Sequence, residues 1–419
     1  MTPNPTTEVE PPGQPAAATA ATAATAHRRT RPGADGRLAS WLWFAIVLVV
    51  YGSATLVVAH RQPSRIDPAM TTARHMLEGR LDLGAPPGAN DTVTVDGRTY
   101  QVISPLPIVP YLAFAPFPGL WSASRWLVSL GFGLAAAWLA LPLARRYGPG
   151  GSTTWWLASL FAFGTLLLTQ AVAGNFYYLA HVEAMFFTFA ALIEMRGRAR
   201  PWLIATTIGL AALARPTVLL AIVPIGIGLV LADRRRARAA VEVAIPIGLT
   251  LALTATWNAL RIGSPLDSGY GSSALAWPAL AAQRAKGLFS IVHVPSNLDL
   301  LLAGGFDLRR AFPFVVPNDN GQSLLLTTPA VLVALRAGFR RGETVVLWLA
   351  ALVVLVPLLL YYGGGGFRTY GYRYALDFTP FLLALVARGA RRRFGMVEKG
   401  LIVLSVTFVS YGIVWSAFR

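Results

Sequence analysis

Just past the first long apolar run, an acid stands directly before a proline: Asp67-Pro68, a few residues beyond His60. A carboxylate at a membrane surface can take the proton of a hydroxyl as that hydroxyl attacks an electrophile. An Asp before a Pro at the first helical position is also a good helix cap, and the apolar spacing of Ala69, Ala73, Met76 and Leu77 fits an interfacial helix over 68–79. Far along the chain, Gly363-Gly-Gly-Gly-Phe-Arg-Thr-Tyr-Gly-Tyr-Arg-Tyr374 offers two arginines, Arg373 first and Arg368 second. A guanidinium fork can grip phosphate oxygens, and the glycines would let backbone N–H groups approach the same anion. The plainer reading is a connector with a belt of Tyr361, Tyr362, Tyr370, Tyr372 and Tyr374 at a membrane interface. Arg215, before Pro216, faces headgroups or the same anion. His181 and Glu183 lie inside an apolar run, where an ionisable group costs about 2.5–3.5 kcal/mol at the centre of a span. Both should face inward, lining a pocket or forming a polar pair against a nearby loop. Nothing in the spacing of His181, Glu183 and Asp67 demands a metal, and Asn318-Asp-Asn-Gly321 reads as a turn. No cofactor is expected, and metal dependence is left open.

These residues sit in a chain of 419 residues that is 55% hydrophobic and 13% charged, about half the charge of a soluble domain. It carries a net charge of +17, yet its arginines come in short clusters between apolar runs and not as one patch. That distribution argues against a nucleic-acid partner and for a bilayer. There is no cysteine, which excludes a disulfide, a thiolate nucleophile and a Cys-ligated metal. The bias towards arginine and alanine is typical of high-GC bacterial genomes.

Residues 1–38 are rich in Pro, Ala and Thr and then basic, and are expected to be a disordered cytoplasmic tail. Apolar runs follow at about 39–60, 122–144, 153–171, 176–195, 202–214, 217–232, 239–260, 323–339, 343–362, 375–388 and 398–418. If the arginine clusters between them lie in the cytoplasm, the chain is an all-α polytopic membrane protein. It then has about eleven spans, the amino end inside and the carboxyl end outside. The stretch 202–232 is short for two spans, but Pro216 supplies the break a tight hairpin needs. The outer face then receives two long segments, about 61–121 and 261–322, and the Gly-rich loop 363–374. Amphipathic pieces within 274–302 could lie on the membrane and cover a site. The cytoplasmic loops hold no GxGxxG, no Walker loop and no Asp-x-Asp pair, so any chemistry belongs outside.

Several short pieces, taken in order, resemble the GT-C glycosyltransferases, and more narrowly the bacterial protein-mannosyltransferase-like group that uses polyprenyl-phosphate sugars. In the first outer loop they are Asp67 with Ala73, Leu77, Gly79 and Leu81, then Asp96-Gly97-Arg98 with Tyr100, Ser104-Pro-Leu-Pro107 and Ala115-Pro116. Later come Arg145-Arg-Tyr-Gly148, Leu213-Ala-Arg-Pro-Thr217, Gly321-x-Ser323 with Thr328-Pro329, and Tyr372-Arg-Tyr-x-Leu376 with Pro380-Phe-Leu-Leu383. The resemblance spans most of residues 39–390. Many members begin the first loop with an Asp-Glu pair, where this chain has Asp67-Pro68. It implies a GT-C-like fold at the cell membrane and transfer of one sugar, with inversion, from a polyprenyl-phosphate donor. The acceptor would be a glycan, glycolipid or protein hydroxyl, and Asp67 would be the base. Arg373, Arg368 and Arg215 would hold the donor phosphate, with His181 and Glu183 in the pocket. The rival from another class is a multi-pass transporter or lipid flippase. The spans are poor in the polar groups such a path needs. The sequence leaves open which sugar and acceptor are used, the oligomeric state and any metal dependence.

Overall fold

The structure is a computed structural model that describes residues 34–84, 90–312, 314–340, 342–366 and 369–418. Most of the expected tail and Arg368 lie outside the described residues. Contacts divide the chain into two units, Met1–Trp43 and Phe44–Arg419, and all that follows concerns the second. The helices are α1 (Ala34–Arg61, which crosses that boundary), α2 (Pro68–Leu77), α3 (Trp121–Tyr147), α4 (Thr153–Phe163), α5 (Leu166–Ala171), α6 (Phe176–Met195), α7 (Pro201–Ala214) and α8 (Ile222–Ala232). They continue with α9 (Arg236–Ile262), α10 (Pro278–Arg284), α11 (Val294–Leu302), α12 (Leu324–Thr327), α13 (Gly342–Leu360), α14 (Thr379–Gly389) and α15 (Met396–Phe418). Two antiparallel hairpins accompany them: β1 (Thr92–Val95) with β2 (Arg98–Gln101), and β3 (Phe306–Leu308) with β4 (Val315–Pro317).

Among the described residues, six helices are long and apolar enough to cross a membrane: Gly36–Arg61, Pro118–Tyr147, Phe176–Met195, Arg236–Ile262, Gly342–Leu360 and Met396–Ala417. Their outward faces leave large apolar side chains such as Leu56, Ile245 and Leu352 uncovered. This is the make-up of a helical membrane protein, whose spans satisfy their backbone internally and leave apolar side chains to lipid. The other apolar runs form shorter or broken helices. The run 153–171 divides at Gly164-Thr165, where the Thr165 hydroxyl caps α5 through Leu167 N. The run 202–232 divides at Arg215-Pro216 into α7, a 3₁₀ turn and α8. The run 323–339 is a single α turn followed, from Pro329, by a 3₁₀ stretch.

The interior is packed on small residues. Ala136, Ala137, Ala140 and Ala144 of α3 are fully buried, and a Cβ added at Gly133 would lie 2.5 Å from that of Ala171. Small residues let helix backbones approach, which is the main source of association between helices in lipid. Within 61–121, α2 packs Ala69, Met70 and Ala73 against Ile108, Tyr111, Val128 and Leu179. The first outer segment is thus seated on α3 and α6 by an apolar core of its own.

Candidate functional site

A cavity of about 680 Å³ opens where the segments expected on the outer face converge. Its walls come from the first loop (Asp91, Ser104), the start of α6 (Tyr177, Tyr178, His181), the α7–α8 break (Arg215), the end of α9 (Trp257, Arg261), the second long segment (Tyr270, Trp277) and the Gly-rich loop (Arg373). The amphipathic stretch Leu275–Leu280 lines one side, as a covering segment would.

Arg373 reaches this cavity because a glycine lets it. Gly366 has φ +94°, and a Cβ there would lie 2.4 Å from Arg373 Nε. The Arg373 side chain therefore passes close over Gly366, its guanidinium carbon 5.3 Å from the Tyr178 ring and 5.2 Å from the Tyr374 ring. Among the described residues it makes no ion pair. Nε is buried without a partner, and Nη2 only approaches the Tyr374 hydroxyl at 3.5 Å. The tyrosines of this region turn inward. Tyr361, Tyr362 and Tyr374 line the cavity and Tyr372 is buried, so they are walls and not a belt facing lipid.

The acid that faces the cavity is Asp91. It lies just before β1, in a hairpin whose turn, Asp96-Gly97, has positive φ at both positions (47° and 74°), as a two-residue hairpin loop requires. Its own φ is 54°. Its main chain is tied to Ala274 O, Val102 N and the Gln101 amide. Its carboxylate accepts from Asn90 Nδ2 at 2.9 Å. Burial raises its pKa, while the Tyr177 hydroxyl, Arg373, Asn90 and Arg284 pull the other way.

Asp67 is placed differently. Its Oδ1 accepts from Ala69 N at 2.9 Å, capping α2, and its Oδ2 accepts from Phe176 N at 3.2 Å, at the start of α6. It is buried and does not line the cavity. This is the geometry of the capping alternative, extended to a second helix, and the two bonds occupy both oxygens.

Arg215 lines the cavity with its charge already paired to an acid. It donates from Nε (3.1 Å to each oxygen) and Nη2 (2.9 Å) to Asp377, which also accepts from the Thr217 hydroxyl at 2.6 Å. The same carboxylate meets His181 Nδ1 at 2.8 Å. With Nδ1 held by an acid, Nε2 is the ring nitrogen left for the cavity that His181 lines. Glu183 is fully buried away from the cavity, and neither of its oxygens has a hydrogen-bond partner.

Of the expected site residues, the structure brings His181, Arg215 and Arg373 to one cavity and leaves Asp67 and Glu183 outside it. Asp91, Asp377 and Arg261 were missed. Asp377 had a legible signal, an acid inside an otherwise apolar run. Asp91 had none, standing among several loop charges of both signs. Asn318–Gly321 is a turn, with Asn320 N bonded to Asn318 Oδ1 and Gly321 N to Asn318 O. Among the described residues no cluster of His, Asp and Glu could hold a metal.

No protein-family model, curated protein or solved structure matches the chain.

Proposed function

We propose that this membrane protein is a glycosyltransferase that moves one sugar from a polyprenyl-phosphate donor to an acceptor hydroxyl at the outer face of the cell membrane. The observation that carries this reading is the chemistry of one cavity. It is lined by Arg65 and Arg373, has Asp91 as its lining acid, and is walled by aromatic rings, while Arg261 in its wall donates to Gln101 O, Trp257 O and Asn258 Oδ1. The arginines suit a phosphate, the rings suit a sugar, and the acid suits a hydroxyl that must lose its proton.

In this mechanism the acceptor oxygen attacks the anomeric carbon from the face opposite the phosphate. The new C–O bond forms as the bond to the phosphate oxygen breaks. Its electron pair leaves with polyprenyl phosphate, held by Arg373, and the acceptor's proton passes to Asp91. Such proton transfer contributes typically about 10²–10⁴-fold. His181 Nε2, its tautomer fixed by Asp377, accepts a hydrogen bond from a sugar hydroxyl. Asp67 does not touch substrate in this reading; it ties the first loop to α6 and so sets the height of Asp91.

The test is turnover of radiolabelled polyprenyl-phosphate mannose, arabinose, galactose and glucose by membranes containing the protein. One of the four should be consumed, and Asp91→Asn should lower transfer at least about a hundredfold at unchanged protein level. Equal turnover by Asp91→Asn, with loss in Asp67→Asn at normal folding, would return the base to Asp67. Movement of an intact donor or solute without bond cleavage would favour a transporter or flippase.

A further inference from the structure

Beside the main cavity lies a second, smaller one of about 180 Å³ that shares Arg65, Asn175 and Tyr178 with it. Its character is different. Three carboxamides line it, from Gln62, Gln170 and Asn175, together with the Trp415 indole and no acidic side chain. Among the described residues neither Gln62 nor Gln170 makes a side-chain hydrogen bond, and Asn175 uses only its Oδ1, to cap α6 through Tyr177 N. Gln170 is almost completely buried, and its Oε1 has no partner; nor has the buried Nε1 of Trp415. Buried polar groups in proteins are nearly always satisfied, by protein or by whatever occupies the space beside them. Two buried polar atoms without partners, with two further carboxamides beside them that have donors to spare, describe a small chamber built for an occupant.

The chemistry selects that occupant. Amide donors and acceptors with an indole edge suit a neutral, hydroxyl-rich ring. The volume takes one such ring, and a single cation at the mouth does not make an anion cage. We propose that this pocket seats a single sugar ring, the terminal residue of the acceptor. That assignment to the acceptor rests on the transferase reading above, whereas the binding of a sugar does not. A ring held between Gln170 and Trp415 can direct a hydroxyl past Asn175 and Tyr178 into the main cavity. The pocket then selects which glycan end is extended.

The experiment is saturation-transfer NMR on the purified full chain in detergent with methyl glycosides of mannose, galactose, glucose and arabinose. Two variants accompany the wild type. Gln170→Leu removes the amide at nearly constant volume, and Ser416→Phe fills the chamber from a partly exposed position on α15. At least one glycoside should give a signal with wild type that falls about tenfold in both variants, at unchanged melting temperature. Signals that are absent in wild type, or equal in all three proteins, overturn the proposal, since the chamber then holds only water. Displacement of the glycoside by inorganic phosphate at equal concentration overturns it too, as the mark of an anion site. If the signals behave as expected but no polyprenyl-phosphate sugar is consumed, the sugar site stands and the transferase reading falls.

Discussion

Burial pushes the Asp67 carboxyl up to about 6, against the pull of the Ala69 and Phe176 N–H groups and of Arg125 and Arg65. A carboxyl raised above its unfolded value stabilises the fold fully at low pH and loses that contribution as pH rises through the folded value. The melting temperature should therefore fall between pH 4 and 7, by an amount on the order of 2–3 kcal/mol in free energy. Asp67→Asn should flatten that slope, and melts followed by tryptophan fluorescence measure it. For Asp91 the sign acts on activity. Its raised pKa puts the loss of transfer on acidification above the ordinary Asp range, which a pH–rate profile reads directly. Asp377 makes a third case. Removing one partner of a buried ion pair costs about 3–5 kcal/mol, because the other is left uncompensated. Asp377→Asn should lower the melting temperature sharply, whereas Arg215→Met combined with Asp377→Leu should recover much of it.

At the scale of elements, what was legible follows from local chemistry. The α7–α8 break appears where Pro216 demands it, and α2 begins at Asp67-Pro68 as a cap before proline should. The division at Gly164-Thr165 had only a weak signal, a glycine followed by a threonine that can cap a helix, inside a run whose hydropathy reads as one continuous helix. Space at the break is tight: a Cβ at Gly164 would lie 2.9 Å from Leu160 Cδ1 and 3.2 Å from the Cβ of Ser405 in α15. The site was half legible for a similar reason. An arginine before a proline (Arg215) or behind a run of glycines (Arg373) announces itself, but which of several loop acids turns inward depends on a hairpin register no single residue reports. The Gly-rich loop supplies a prediction of its own. Gly366→Ala forces a side chain into positive φ, at about 1–3 kcal/mol, and pushes it into Arg373. Donor turnover should collapse while the protein still extracts and melts as a folded species; unchanged turnover would remove Arg373 from the phosphate site.

For the whole molecule, sidedness is the quantity to measure. The 27 residues of α9 extend about 40 Å, more than the roughly 30 Å hydrocarbon core. Its ends should emerge on opposite faces, with the Arg234–Arg238 cluster inside and the cavity outside. Because the chain has no cysteine, single replacements report cleanly. In intact cells an impermeant maleimide should label Asp267→Cys and spare Arg235→Cys, and the reverse pattern would invert the orientation.

The carboxylate that neutralises Arg215 arrives 162 residues later in the chain, and that same group, which also steadies His181, lies 196 residues beyond the imidazole. A ribosome adding about 5–20 residues per second leaves that guanidinium waiting roughly 8–30 s. During that interval the nascent hairpin carries an uncompensated cation towards the bilayer. It must be sheltered by the insertion machinery, or keep its tip among water and lipid phosphates, until the last few helices are made.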